Sequence, residues 1–302
     1  MGLKFHILDV FTDQAFKGNQ LAVVEEADDL SSETMLAITR EFGFSETVFL
    51  QSSDNPTAIS KLRIFTPKGE IPFAGHPTIG TAVLLGLQKA KQQNCGQDVL
   101  LILDEEVGPV RSVVAVSSEK SAYAEIDVPQ LPKVIERVPE VDLVADALGL
   151  DIQDIGFENH KIMSAEIGIR FVYVPLKNRS LVSKSTPNFA FWSAAFSKEN
   201  PVGVFVYCRG GEVEGTGFHG RMFAPDFGIN EDAATGGAVV GFSRLIERFE
   251  IDAQSHYETM ISQGFEMGRD SFLKLELELQ NRALRQVRLG GKAVLVATGE
   301  LN

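Results

Sequence analysis

Three ionisable residues in this sequence stand where proton chemistry could be done. Glu46 lies in Phe44-Ser45-Glu46-Thr47-Val48-Phe49, between a helix stop and an apolar strand. A carboxyl held among apolar groups has its charged form disfavoured, so its pKa rises and it can take and return a proton near neutrality. His76 lies in Phe73-Ala74-Gly75-His76-Pro77-Thr78 and could serve as a second proton carrier or as an electrophilic hydrogen-bond donor. Asp232, in Glu231-Asp232-Ala233-Ala234-Thr235-Gly236-Gly237, could bind a substrate amine and orient a hydroxyl. Each also has an ordinary reading: a solvated turn glutamate, a hydrogen-bonded loop histidine and a helix-capping aspartate.

The last two segments open helices. The first amides of a helix lack an internal acceptor and carry partial positive charge, and glycine lets a ligand approach the backbone. Each start is thus a potential carboxylate site. The competing reading is a pair of plain caps with turn glycines.

These residues need a scaffold. Leu3 to Phe11, Thr47 to Gln51 and Ile59 to Phe65 read as strands, and Leu21 to Val24 is a short apolar run. Ser31 to Gly43 reads as a helix with a serine cap and a glycine stop. Pro77 to Lys91 is a second helix, apolar on nearly all sides at its start, and such a helix is buried all round. Val99 to Leu103, Pro109 to Val116 and Ala122 to Val128 follow as strands. Pro129 to Pro139 carries three prolines and reads as a linker. Beyond it, Val141 to Leu148 looks helical, Met163 to Val174 and Val202 to Cys208 extended. Ala234 to Phe249 forms another strong helix, and Phe272 to Leu279 and Val287 to Ala297 late strands.

A repeat runs through this order. Arg63-Ile64-Phe65-Thr66-Pro67 returns as Arg221-Met222-Phe223-Ala224-Pro225, each followed by a T-x-G at a helix start, Thr78-Ile79-Gly80 and Thr235-Gly236-Gly237. Val48-Phe49 precedes the first copy much as Val204-Phe205 precedes the second. Overlaid, Asp232 falls near Gly75, His76 near Ala233 and Glu46 near Val202. Three ionisable residues therefore each occur in one copy only, an asymmetry that a structural duplication does not require and an asymmetric reaction does. The implied architecture is α+β. Two pseudo-symmetric lobes each curl a mixed β-sheet around a central helix and face each other across a cleft. The first lobe spans 1–128, completed by the strand near 287–302, and the second spans 129–286.

Composition narrows the function classes. The chain has 302 residues, 44% apolar and 23% charged, with a net charge of −13. Counterion-release binding to nucleic acid needs a basic face, and no such face is encoded. No apolar run approaches a membrane span, and no signal peptide opens the chain, so a cytoplasmic location is expected. Cys95 and Cys208 lie in no metal-ligand spacing. No metal cluster and no complete dinucleotide or P-loop fingerprint occurs, so no cofactor is expected.

At these motifs the sequence resembles the PhzF-like family, the phenazine-biosynthesis isomerase and its relatives. The matching segments begin with Gly18-Asn19 before Leu21-Ala22-Val23-Val24, Phe44 to Thr47, Phe73 to Thr78 and Arg221 to Pro225. They continue with Glu231 to Gly236, Gln263-Gly264, Met267-Gly268-Arg269 and Gly290 to Val294. The resemblance implies the diaminopimelate-epimerase fold and a cofactor-free, homodimeric isomerase of a small carboxylate-bearing compound. In that family's best-understood member a glutamate in the F-S-E-T context moves a proton across dihydro-hydroxyanthranilate. By the resemblance Glu46, His76 and Asp232 are catalytic, while Asn19, Ser45, Gly75, Thr235, Gly236 and Gly237 bind substrate. Gly237 departs from the serine common in the family and removes a hydroxyl donor. Gln20 and Asp270 stand where proline is common.

Two other readings remain open from the residues. One is an amino-acid-type racemase or epimerase using Glu46 as one base. The other is a non-catalytic small-molecule binder of the same fold. The two-thiol mechanism of the wider superfamily does not fit, because neither helix start carries a cysteine. Both cysteines are read as structural.

Overall fold

The computed structural model describes residues 2–93, 98–196, 201–251 and 255–302. The chain divides into two compact units. One comprises Met1–Gln130, Arg269–Phe272 and Arg288–Asn302; the other comprises Leu131–Gly268 and Leu273–Val287.

The first unit runs β1 (Leu3–Val10), β2 (Asn19–Val24), α1 (Ser32–Phe42), β3 (Glu46–Gln51), β4 (Ser60–Thr66), β5 (Gly69–Ile71) and α2 (Gly75–Gln93). It continues through β6 (Val99–Glu105), β7 (Gly108–Val116) and β8 (Ser121–Asp127). The last strand of the chain, Ala283–Leu301, returns to pair with both β8 and β1. The ladder then passes from β1 to β2, β3, β4, β6, β7 and β8, closing an eight-stranded barrel. Closure removes the free sheet edges.

Helix α2 fills the barrel and touches β1, β2, β3, β6, β7 and β8. Ile79, Ala82 and Val83 on it are fully buried, as an all-round apolar helix requires. The parallel pair β2–β3 needs a crossover, and α1 supplies it. Strand β2 is therefore buried on both faces and reads as a continuous apolar run. Helix α1 is bounded as its caps dictate: Ser31 Oγ accepts from the Thr34 N–H, and Gly43 takes the left-handed conformation.

The second unit contains β9 (Lys133–Ile135), α3 (Val141–Leu148), β10 (Met163–Ile167), β11 (Ile169–Pro175), α4 (Arg179–Lys184) and α5 (Phe189–Ala195). After these come β12 (Val202–Arg209), β13 (Phe218–Ala224), β14 (Ile229–Asp232), α6 (Gly236–Phe249), β15 (His256–Gln263), β16 (Ser271–Gln280) and β17 (Ala283–Leu301). Its ladders repeat those of the first unit in order and sense. β10–β11 is antiparallel like β1–β2, and β11–β12 parallel like β2–β3. β12–β13 and β13–β14 are antiparallel like β3–β4 and β4–β5, and β13–β15 is parallel like β4–β6. Helices α3 and α5 cover the outer face of β11 and β12, burying Leu148, Val174, Trp192 and Val204 in one cluster. Even the salt bridges repeat. Arg63 pairs with Glu70 through Nε and Nη2, and Arg221 with Glu231 in the same way.

Several sequence expectations shift. Met163 to Val174 is two strands, because Gly168 at φ 70° turns the chain into a hairpin. The Pro129–Pro139 segment contains β9, which pairs with β10. Helix α2 begins at Gly75 rather than Pro77, because the Thr78 N–H and hydroxyl both reach the Ala74 carbonyl and add residues at its start. The ladder Thr47↔Phe65 matches Val204↔Phe223, so the counterpart of Glu46 is Gly203, one residue along from Val202. Cys208 is fully buried and burial pushes its thiol up to about 11, as expected of a structural cysteine. Cys95 lies outside the described residues. Among the described residues no helix is long and apolar enough to cross a membrane.

Candidate active site

In the first unit the fold brings Asn19, Ser45, Glu46 and His76 together. Glu46 opens β3 opposite Leu21 of β2, and His76 is the second residue of α2. The Glu46 side chain is 14% exposed, and its Oε2 lies 3.5 Å from His76 Nε2. Glu46 Oε2 is buried with no hydrogen-bond partner. Burial pushes the Glu46 carboxyl up to about 7, and a hydrogen bond from the Ser45 side chain offsets part of the rise. The carboxyl is thus divided between its two forms at neutral pH, as a group that both takes and returns a proton requires.

His76 is almost wholly buried. The Asn19 side-chain nitrogen lies 3.5 Å from His76 Nδ1, and the Ser45 hydroxyl 3.5 Å from Asn19 Oδ1. The imidazole therefore faces Asn19 through Nδ1 and Glu46 through Nε2. Asn19 is itself held in place. Gly18 turns the chain at φ 66°, where a Cβ would lie 2.3 Å from the Val10 carbonyl oxygen. The Gly18 carbonyl accepts from Arg269 Nε, whose guanidinium also bonds the buried Asp9 carboxylate. Arg269 of the Met267-Gly268-Arg269 motif therefore holds the Gly18-Asn19 turn. Nothing in the local sequence of Arg269 announces that role.

The second unit gathers Asp232, Thr235, Gly236, Gly237 and a residue the sequence reading left without a role, Gln263. Asp232 ends β14, and α6 begins at Gly236. The Thr235 hydroxyl donates to Asp232 Oδ2 at 2.7 Å. Gln263 is fully buried and binds three times: its Nε2 donates to the Asp232 carbonyl and to Thr235 Oγ1, and its Oε1 accepts from the Thr235 N–H. The Thr235 hydroxyl is thus engaged with Asp232 and its backbone amide with Gln263. Gly203, the counterpart of Glu46, has the Phe171 ring 2.7 Å from where its Cβ would stand, so an aromatic ring fills the place of a carboxyl stem.

A further cluster in the second unit joins Glu158, His160 and Glu250, whose ligand atoms lie within 4.8 Å of one another. Arg209 Nη2 already bonds both carboxylates at 2.6 Å, and the Tyr207 hydroxyl lies 2.8 Å from His160 Nδ1. The guanidinium and His160 hold the Glu250 carboxyl down at about 2. A cation would have to displace the arginine, so the cluster reads as an ion-pair network.

Comparison with known proteins agrees with this architecture. The family model described as phenazine biosynthesis-like protein matches residues 8–299. An uncharacterized isomerase of Mesorhizobium japonicum is 38% identical over 298 residues, covering 98% of this chain and 97% of its own. A trans-2,3-dihydro-3-hydroxyanthranilate isomerase of Pseudomonas chlororaphis is 30% identical over 296 residues, covering 98% of each. Among solved structures, a PhzF-family phenazine biosynthesis protein of Bacillus anthracis superposes with a TM-score of 0.87 at 24% identity, covering 100% of this chain and 99% of its own. A probable proline racemase from Agrobacterium radiobacter shares the fold at a TM-score of 0.59 and 10% identity, covering 99% of this chain and 93% of its own. The chain belongs to the phenazine biosynthesis-like (PhzF) family and is an isomerase of that family.

Proposed function

We propose that the protein isomerises a small carboxylate-bearing compound by moving a proton between two of its carbons, with Glu46 as the carrier. The observation that carries the reading is the buried Glu46 carboxyl, pushed up to about 7 and set 3.5 Å from His76. Ionised Glu46 takes a proton from a carbon in conjugation with a carboxylate or double bond. The electron pair delocalises along the substrate, and neutral Glu46 returns the proton at the far end of the conjugated system. Atoms balance, and the carboxylate is restored. His76 donates from Nε2 toward the developing charge. The Gly75 amide at the start of α2 offers a donor to the substrate carboxylate, where stabilisation of developing charge is most effective; in the second unit Gly236 and Gly237 open α6 with amides of the same kind. In the second unit Asp232, held by Thr235 and Gln263, is oriented to accept from an amine or hydroxyl.

Relatives at 30% identity are named for the isomerisation of trans-2,3-dihydro-3-hydroxyanthranilate, which makes that cyclohexadiene amino acid the first compound to test. The test is proton exchange in D₂O followed by NMR, over a panel of amino, hydroxy and unsaturated acids including that compound, for wild type and Glu46→Gln. Deuterium uptake with a double-bond shift, lost in the variant, is expected. Uptake confined to an sp³ α-carbon would replace the isomerase reading with that of a racemase. Uptake by Glu46→Gln at the wild-type rate would remove Glu46 from the mechanism.

A further inference from the structure

Glu105, the last residue of β6, is a buried carboxyl that the proton shuttle does not use. Its Oε1 lies 2.7 Å from Thr78 Oγ1 in the first turn of α2, and the same hydroxyl lies 2.7 Å from the Ala74 carbonyl oxygen. Thr78 is fully buried. A hydroxyl has one hydrogen to give, and the Ala74 carbonyl brings none. Were Glu105 ionised, one of the two short contacts would join a pair of acceptor oxygens. A single arrangement gives each contact a proton: the Glu105 O–H donates to Thr78 Oγ1, and the Thr78 O–H donates to Ala74. The other carboxyl oxygen, Oε2, is buried with no hydrogen-bond partner, a situation far costlier for a charged oxygen than for a neutral carbonyl.

The second unit holds the same device in a form that cannot ionise. The ladder Lys61↔Asp104 matches His219↔Ser262, so the next residues along, Glu105 and Gln263, are counterparts. Gln263 Nε2 donates to Thr235 Oγ1, and the Thr235 hydroxyl passes its own hydrogen on to Asp232. In both copies a donor from the strand feeds a threonine hydroxyl, which donates in turn to the segment opening the helix.

We propose that Glu105 is held as a neutral carboxylic acid and acts as a positioning residue, locking Thr78 onto the Ala74 carbonyl and thereby fixing the Ala74–Gly75 peptide at the start of α2. The described peptides are trans, so pinning the Ala74 carbonyl sets the opposed direction of the Gly75 N–H, immediately before His76. The surroundings favour the neutral form. Burial pushes Glu105 up to about 8; the Thr78 hydrogen bond offsets part of the rise, and Asp104 adds to it. Asp104 accepts from Ser53 and pairs in the ladder with Lys61 of β4; Glu106 follows in the turn. The β7 partners, Gly108 and Pro109, carry no charge, and α2 presents Thr78, with His76 two residues before it.

The effect on turnover rests on the isomerase reading; the protonation state does not. The protein is labelled with ¹³Cδ-glutamate and ¹⁵N-glycine and titrated by NMR as wild type, Glu105→Gln and Thr78→Val. In wild type the Glu105 carboxyl is expected to be protonated at pH 7, and the Gly75 amide signal to move with the midpoint of that carboxyl. In Glu105→Gln, which imitates Gln263, the carboxyl signal vanishes and Gly75 no longer follows that midpoint. In Thr78→Val the Gly75 signal is displaced at every pH. With substrate, Glu105→Gln keeps kcat/KM within about threefold and loses the alkaline limb of the pH profile, while Thr78→Val loses about tenfold or more. A Glu105 carboxyl already ionised at pH 7, or a Gly75 signal indifferent to both substitutions, would overturn the proposal. A titration as expected with no proton exchange by wild type would count against the isomerase reading alone.

Discussion

If Glu46 is held near neutrality by burial, the protein must lose stability as pH rises, and Glu46→Gln must recover it. An exposed glutamate titrates near 4.5, whereas folded Glu46 titrates near 7. Between these values the unfolded chain has released a proton that the folded chain keeps, so stability is full below 4.5 and falls as pH rises through 7. At roughly 1.4 kcal/mol per pH unit, Glu46 costs about 3 kcal/mol by pH 7 and above. Glu105 adds its own decline, extending to about pH 8. Glu250 and Glu266, both held down at about 2, act in the opposite sense and in another window: their contribution is lost as pH falls below 4.5. The comparison that isolates Glu46 is therefore wild type against Glu46→Gln between pH 5 and 8, with every other titrating group common to both. The only tryptophan, Trp192, lies in the second unit, so its fluorescence misses the relevant one. Amide exchange along α2 in urea reports the first unit directly. Glu46→Gln is expected to match wild type within about 1 kcal/mol at pH 5 and to exceed it by roughly 2–3 kcal/mol at pH 8. Parallel curves across that window would refute the raised carboxyl, and with it the physical basis for Glu46 as a proton carrier.

Two further perturbations follow from the repeat. Arg221 bonds Glu231 and also donates to the carbonyls of Val182, Ser183 and Ser185, whereas Arg63 bonds Glu70 and the exposed Ser32. Urea unfolding should show Arg221→Lys costing about 3 kcal/mol and Arg63→Lys about 1 or less, since only the first strands buried acceptors; equal costs would refute the distinction. Gly203→Ala should cost about 1–3 kcal/mol through the clash with Phe171, and Phe171→Leu in the same chain should relieve part of it; an additive double mutant would show that the ring is not what excludes the side chain.

Much of this was legible from sequence because the signals are local. Ser31 and Gly43 bracket α1 at the chemistry of its caps, and the apolar face of α2 extends all round because the helix is enclosed. The duplication was visible in Arg-x-Phe-x-Pro and T-x-G, and the ladders repeat with it. Elements set by long-range pairing were hidden. Strands β5 and β14 have three and four residues, too few to show a period. In β15, His256–Gln263, polar residues fall on both faces and mask the alternation. Glu46 and His76 stood out because ionisable groups among small and apolar residues are chemically conspicuous. Glu105 did not, since Asp104-Glu105-Glu106 reads as a solvated acidic turn. Only the ladder brings its carboxyl beneath Thr78, and only the comparison with Gln263 explains why a carboxyl there can be neutral.

The two copies differ where chemistry is possible and agree where support is needed. The Arg–Glu pair, the strand residue hydrogen-bonded to a threonine hydroxyl and the parallel crossover recur in both. At the Glu46 position the second copy has Gly203, and the residue opposite changes with it: Leu21 in the first copy becomes Phe171 in the second. Side-chain volume has moved from one strand to its neighbour, so the space a carboxyl would need is filled by a ring, and the ring in turn requires the glycine. At the helix start the change runs the other way: Asp232 stands in the second copy near the place of Gly75 in the first. These substitutions are coupled by packing, so reverting either alone leaves a clash or a void. A carboxyl at the Gly203 position would therefore meet the Phe171 ring unless that residue changed with it. The buried carboxyl beside a histidine is thus a feature of the first unit alone, while the second holds an oriented aspartate.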